Sequence, residues 1–121
     1  MNILLVDDDT NIRTIAVIGL EDMPEWNVTE ASSGMEALST MEKQSFDLVL
    51  LDMMMPGMDG ITVFNKIKEQ AKYAQLPIIF MTAKVQEHEV AGYKKLGASG
   101  VIIKPFDPLT LADDIKAILG G

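Results

Sequence analysis

Residues 48–60 read Leu48-Val49-Leu50-Leu51-Asp52-Met53-Met54-Met55-Pro56-Gly57-Met58-Asp59-Gly60. Four apolar residues in unbroken succession suit a strand covered on both faces, as in a parallel sheet. Asp52 ends the run. Asp59 is a helix N-cap type, and Ile61, Phe64, Ile67 and Ala71 follow at helical spacing. The stretch is strand, loop, helix.

The same unit repeats outward in both directions. Short apolar runs occupy Ile3 to Val6, Ile78 to Met81 and Val101 to Ile103. Trp26 to Ala31 is mixed, with Asn27, Thr29 and Glu30 interrupting, which suits an edge strand with one wet face. Helical patterns lie between. Ile12, Ile15, Ala16, Gly19 and Leu20 form one face, and Met35, Leu38 and Met41 another. Gln86 to Leu96 is more polar, with Val90, Tyr93 and Leu96 as its face. The last helix carries Leu111, Ala112, Ile115, Ile118 and Leu119. Asp9 or Thr10 and Ser32 or Ser33 stand where helices begin, and Gly97 where one ends.

Five strand–helix units predict an α/β fold with a parallel sheet and right-handed crossovers. A closed eight-fold barrel needs about twice the length. An open, doubly wound, five-stranded sheet remains. The 121 residues make one domain, 1–121, with no second.

Composition narrows the function classes. The chain has no cysteine, which removes disulfides, thiol catalysis and thiolate metal sites. Its formal charge is -8, a poor match for a phosphate backbone, so direct nucleic-acid binding is not expected. No apolar run approaches a membrane span, and Met1-Asn2 does not open a signal peptide. The expected location is the cytoplasm.

In a parallel sheet all strands end on one side, and ligands bind there. The residues after the apolar runs are Asp7, Asp8 and Asp9, then Asp52, then Thr82, then Lys104 followed by Pro105. The topology gathers several carboxylates, one hydroxyl and one ammonium. Clustered carboxylates call for a compensating cation. Oxygen ligands without His or Cys favour Mg²⁺. A lysine and a hydroxyl beside it suit phosphoryl oxygens. A carboxylate can be the nucleophile, giving an aspartyl phosphate.

Four segments, in order, carry a resemblance. They are Ile3-Leu4-Leu5-Val6-Asp7-Asp8-Asp9, Leu50 to Gly60, Met81-Thr82-Ala83 and Lys104-Pro105-Phe106. The chain resembles CheY-like receiver domains of two-component response regulators. The resemblance implies a flavodoxin-like (β/α)5 fold with strand order 2-1-3-4-5. It implies Asp52 as phosphoacceptor. Mg²⁺ would be held by Asp8, by Asp7 through water, by Asp52 and by the Met54 main-chain carbonyl. Thr82 and Lys104 would bind phosphoryl oxygens, and the Lys104–Pro105 peptide would be cis. The implied partners are a histidine kinase or phosphotransfer protein and a downstream effector or fused output domain. Such a domain is a regulatory phosphoacceptor that assists its own phosphorylation and dephosphorylation. Many receivers carry Tyr or Phe three residues before the lysine; here that position is Val101. A signal would therefore leave through displacement around Thr82, Ala83 and Lys84 and the following helix.

Other readings are weaker. A haloacid-dehalogenase-type phosphatase also forms an aspartyl phosphate with Mg²⁺, but Asn11 stands where it needs Thr or Val. A flavin carrier needs a Ser/Thr/Gly-rich phosphate loop where Asp7-Asp8-Asp9 lies. A calcium loop fails at Ile12 and Ile18. Met53, Met54, Met55 and Met58 read as core and loop packing, His88 as a solvated surface residue and Trp26 as a packed aromatic. Gly57 and Gly60 read as loop geometry.

Overall fold

The computed structural model describes residues 1–83 and 87–120. Five strands and five helices alternate. They are β1 (Asn2–Val6), α1 (Thr10–Leu20), β2 (Asn27–Ala31), α2 (Gly34–Lys43), β3 (Leu48–Asp52), α3 (Gly60–Lys68), β4 (Ile78–Thr82), α4 (Glu87–Leu96), β5 (Gly100–Ile103) and α5 (Leu111–Ile118). A 3-10 turn, Ala71–Tyr73, follows α3. Every strand pair is parallel, and the order is β2-β1-β3-β4-β5.

Position in the sheet explains the hydropathy. β3 is central and buried throughout. The outer strands carry exposed residues along their length, Asn27 and Glu30 on β2 and Ile103 on β5, whereas the inner strands expose only Asn2, at the start of β1. Alternate residues of the inner strands feed two cores. Leu4, Val6, Val49, Leu51, Ile78 and Phe80 pack with Ala37 and Met41 of α2 and Val63, Phe64 and Ile67 of α3. Ile3, Leu5, Leu48, Leu50, Ile79 and Met81 pack with Ala16 and Leu20 of α1 and Leu111 and Ile115 of α5.

The caps match the sequence. Asp9 accepts from the amides of Asn11 and Ile12, Ser33 from that of Glu36 and Asp59 from that of Thr62. Gly97 has φ +112°, a left-handed conformation suited to glycine after α4.

Several expected faces shift. Ile15 and Met35 are exposed; α2 buries Met41 as expected, with Gly34 and Ala37 in addition. Gly34 is there because a side chain would strike Val63 and Met58. Ala71 belongs to the 3-10 turn and is exposed, because α3 ends at Lys68. Leu119 follows α5 and is partly exposed. Of the expected helix Gln86 to Leu96, Gln86 lies outside the described residues, as does Lys84 in the expected signal route. Trp26 precedes β2 and packs on the second core, with the Lys116 ammonium 6.0 Å from its ring centroid. No helix is long and apolar enough to cross a membrane among the described residues.

Candidate functional site

The site lies at the C-terminal ends of β1, β3, β4 and β5. Asp52 and Thr82 are the last residues of β3 and β4, and Asp7 follows β1 directly. Asp7, Asp52 and Thr82 are the buried polar residues among the described ones, while Asp8 is exposed. Carboxylate oxygens of Asp7, Asp8 and Asp52 lie within 4.8 Å of one another.

Lys104 enters from just beyond β5. Its Nζ donates to Asp7 Oδ2 at 2.7 Å and to Asp52 Oδ1 at 2.9 Å. Its main-chain amide donates to the Thr82 carbonyl at 2.6 Å. The peptide to Pro105 is cis. The Met54 amide donates to Asp52 Oδ1 at 3.3 Å, while the Met54 side chain is 74% exposed. The main chain of Met54, and not its thioether, meets the site. Core packing thus describes Met53 and Met55, which are buried, and Met58, which packs against them, but not Met54.

Charge is only partly balanced. Burial pushes the Asp52 carboxyl up; the Lys104 hydrogen bond opposes this, and the Asp7 charge adds to it. The result is a pKa of about 6 against an ordinary 3.8. Burial disfavours the Lys104 ammonium, but hydrogen bonds to Asp7 and Asp52 overcome that and raise its pKa. One ammonium faces three carboxylates. The donor set is oxygen only, compact and short of positive charge, which fits a hard divalent cation.

Loop geometry holds Asp52 in place. A Cβ on Gly60 would collide with the Asp52 carbonyl oxygen and lie 2.8 Å from Met53 Cα. Glycine therefore lets the start of α3 close against the end of β3. Its amide donates to the Met53 carbonyl at 3.0 Å. Gly57 has φ +82° and turns the loop.

Every sequence-derived site residue is brought to this edge. His88 is exposed in the first turn of α4. A groove of about 540 Å³ between Met41, Phe46, Tyr73 and Pro77 lies at the opposite edge and touches none of these residues. Sequence reading missed Arg13. Its guanidinium reaches back from the first turn of α1 to the Asp7 carbonyl at 2.7 Å. The available signal was its isolation: it is the one arginine, and the one basic side chain before Lys43.

Comparison with known proteins agrees with this geometry. A family model for the response regulator receiver domain matches residues 3–116. The chain is 35% identical to chemotaxis protein CheY-3 of Vibrio cholerae, over 98% of this chain and 91% of that protein. It is 40% identical to transcriptional regulatory protein SrrA of Staphylococcus aureus, over 97% of this chain but 47% of that protein. The solved structure of chemotaxis response regulator CheY4 of Vibrio cholerae matches with a TM-score of 0.88 at 32% identity, covering 97% of both chains. These matches give no support to the phosphatase alternative.

Proposed function

Because the chain belongs to the response regulator receiver domain family, we propose that it is a phosphorylation-dependent signalling switch whose phosphoacceptor is Asp52. The observation that carries the assignment is the meeting of Asp52, Lys104 and Asp7 at 2.7–2.9 Å, with Asp8 beside them. An Asp52 carboxylate oxygen attacks the phosphorus of a phosphohistidine or a small phosphodonor. The new O–P bond forms as the donor's bond to phosphorus breaks, and the donor's leaving group carries the bonding pair away. Thr82 offers a hydroxyl, and Lys104 an ammonium, to the phosphoryl oxygens.

Asp8, Asp7, Asp52 and the Met54 main-chain carbonyl would hold Mg²⁺. Bound there, the ion supplies the positive charge that lets an anionic phosphoryl group approach an anionic carboxylate. The domain assists its own phosphorylation and dephosphorylation, and acts as a regulatory acceptor without turning over an external substrate. Residues 1–121 are read as one receiver domain. Its partners are a histidine kinase or phosphotransfer protein, and a downstream effector or fused output domain. The acidic chain itself binds neither nucleic acid nor membrane, and works in the cytoplasm.

Incubation with a small phosphodonor and Mg²⁺, followed by intact-mass measurement, tests the assignment. One phosphoryl group is expected on the unaltered chain and none on Asp52→Asn. Equally efficient modification of the variant at another carboxylate would overturn it.

A further inference from the structure

The β1–α1 turn is fixed by a residue outside the cluster it presents. Asp7 is fully buried. Its amide donates to the Ala31 carbonyl at 3.1 Å, which places the turn against β2. Its carbonyl falls beyond the end of β1's pairing with β3, which stops at Val6 and Leu51. The Arg13 guanidinium supplies that carbonyl's donor at 2.7 Å. The same guanidinium donates to Glu30 Oε1 at 3.1 Å and, more weakly, to Thr10 Oγ1 at 3.3 Å. One side chain thus ties together the end of β1, the first turn of α1 and the end of β2.

The pair with Glu30 is unequal. The Arg13 side chain is 14% exposed and that of Glu30 47%. A contact this wet adds little stability as an ion pair. Its geometric consequence is larger. A planar guanidinium held by a carboxylate on one edge has its remaining donors aimed, here at the Asp7 carbonyl. Lysine has one nitrogen and lacks this fork.

We propose that Arg13, oriented by Glu30, is a positioning residue for the acidic pair Asp7–Asp8, setting the turn from which both carboxylates reach the Mg²⁺ site. The proposal rests on the Mg²⁺-binding reading above. Arg13 touches neither Asp52 nor the acidic side chains; it acts through the main chain of Asp7. Partners of metal ligands that fix orientation in this way typically govern affinity by about 10–100-fold.

Calorimetric Mg²⁺ titration of the unphosphorylated chain, run beside thermal melts, separates positioning from mere support of the fold. Arg13→Ala is expected to weaken Mg²⁺ binding about tenfold. Arg13→Lys is expected to recover only part of the loss, and Glu30→Gln to show a smaller loss. Phosphodonor labelling of Arg13→Ala is expected to approach the unaltered rate once Mg²⁺ is saturating. An Arg13→Ala chain with a lowered melting temperature but unchanged Mg²⁺ affinity overturns the positioning role alone. If Arg13→Ala does not fold, unchanged affinity in both Arg13→Lys and Glu30→Gln overturns it equally. An unaltered chain that binds no Mg²⁺ overturns both this proposal and the reading beneath it.

Discussion

The amide of Lys104 donates to the carbonyl of Thr82 at 2.6 Å, directly beyond the last β4–β5 pair, Thr82 with Ile103. The hydroxyl and the ammonium assigned to the phosphoryl group therefore stand on one shared piece of backbone. Neither can be drawn far toward Asp52 without moving the other. Thr82→Ala and Lys104→Ala are each expected to leave Mg²⁺ binding largely intact and to weaken the link between phosphate and conformation. Amide shifts induced by a stable phosphoryl mimic check this. Full-sized shifts along α4 and β5 in both variants would refute it.

Asp52 is a destabilising residue at neutral pH. Its folded-state pKa of about 6 exceeds its ordinary 3.8, so the folded chain binds its proton more tightly than the unfolded chain does. Stability from this group therefore falls as pH rises from about 4 to about 6, and the loss is complete above that. A carboxyl moved that far carries about 3 kcal/mol. That net figure already contains the opposing pull of Lys104, so Asp52→Asn is expected to gain about 1–3 kcal/mol at pH 7. Urea unfolding at pH 4 and pH 7 checks it. A gain equal at both pH values would contradict the mechanism.

Asp8 differs from Asp7 and Asp52 in being exposed, and its carboxylate accepts no hydrogen bond among the described residues. On the Mg²⁺-binding reading its role is electrostatic. Asp8→Ala is expected to weaken Mg²⁺ binding by about tenfold or more, and to remove repulsion from Asp7 and Asp52 when no ion is bound. The melting temperature without Mg²⁺ is then unchanged or higher, and the rise produced by Mg²⁺ disappears. A calorimetric affinity equal to that of the unaltered chain removes Asp8 from the ligand set.

Gly60 couples fold to site. The atoms that a new Cβ would meet, the Asp52 carbonyl oxygen and carbon and Met53 Cα, are main chain and cannot swing aside. Gly60→Ala is expected to cost about 1–3 kcal/mol and to slow Asp52 labelling by displacing the end of β3. Denaturant melts and phosphodonor kinetics read the two effects separately. An alanine variant labelled at the original rate would show that β3 holds Asp52 without this close approach.

The sheet was legible because its inner strands are buried on both faces and so read as unbroken apolar runs. Asp7, Asp52, Thr82 and Lys104 were legible for a related reason. Parallel strands all end on one side, so whatever follows each run must converge. The errors fell where burial depends on a neighbour rather than on period. Met35 shares the spacing of Leu38 and Met41, yet Gly34 closes against Val63 and Met58 and turns Met35 outward. Ala71 continues the spacing of α3, but the chain tightens into a 3-10 turn. Lys68 donates there to the carbonyls of Tyr73, Ala74 and Leu76, an arrangement no periodicity encodes. Arg13 was missed because its partner is a main-chain oxygen.

The position expected to hold an aromatic is occupied by Val101, and the structure shows where the aromatic packing lies instead. Val101 pairs with Phe80 across β4–β5. Tyr93 of α4 packs on Phe80 with ring centroids 5.5 Å apart, and Phe80 meets Phe64 at 5.4 Å. Phe80 precedes Thr82 by two residues, so both side chains point to the same face of β4. A phosphoryl group adds about -1.5 to -2 charges at Asp52 and draws on Thr82 and Lys104. A stiff valine has few rotamers to exchange, so the displacement is expected to pass through β4 and Phe80 to Tyr93 and hence to α4. Phosphorylation can shift the population only by its unequal interaction with the two states, and this packing is where a difference between them is expected. A stable phosphoryl mimic is expected to shift amides of Thr82, Ala83, Tyr93 to Leu96 and Val101 to Phe106. Tyr93→Leu is expected to keep Asp52 labelling while shrinking the α4 shifts. Changes confined to the surroundings of Asp52, or α4 shifts unaltered in Tyr93→Leu, would rule this route out.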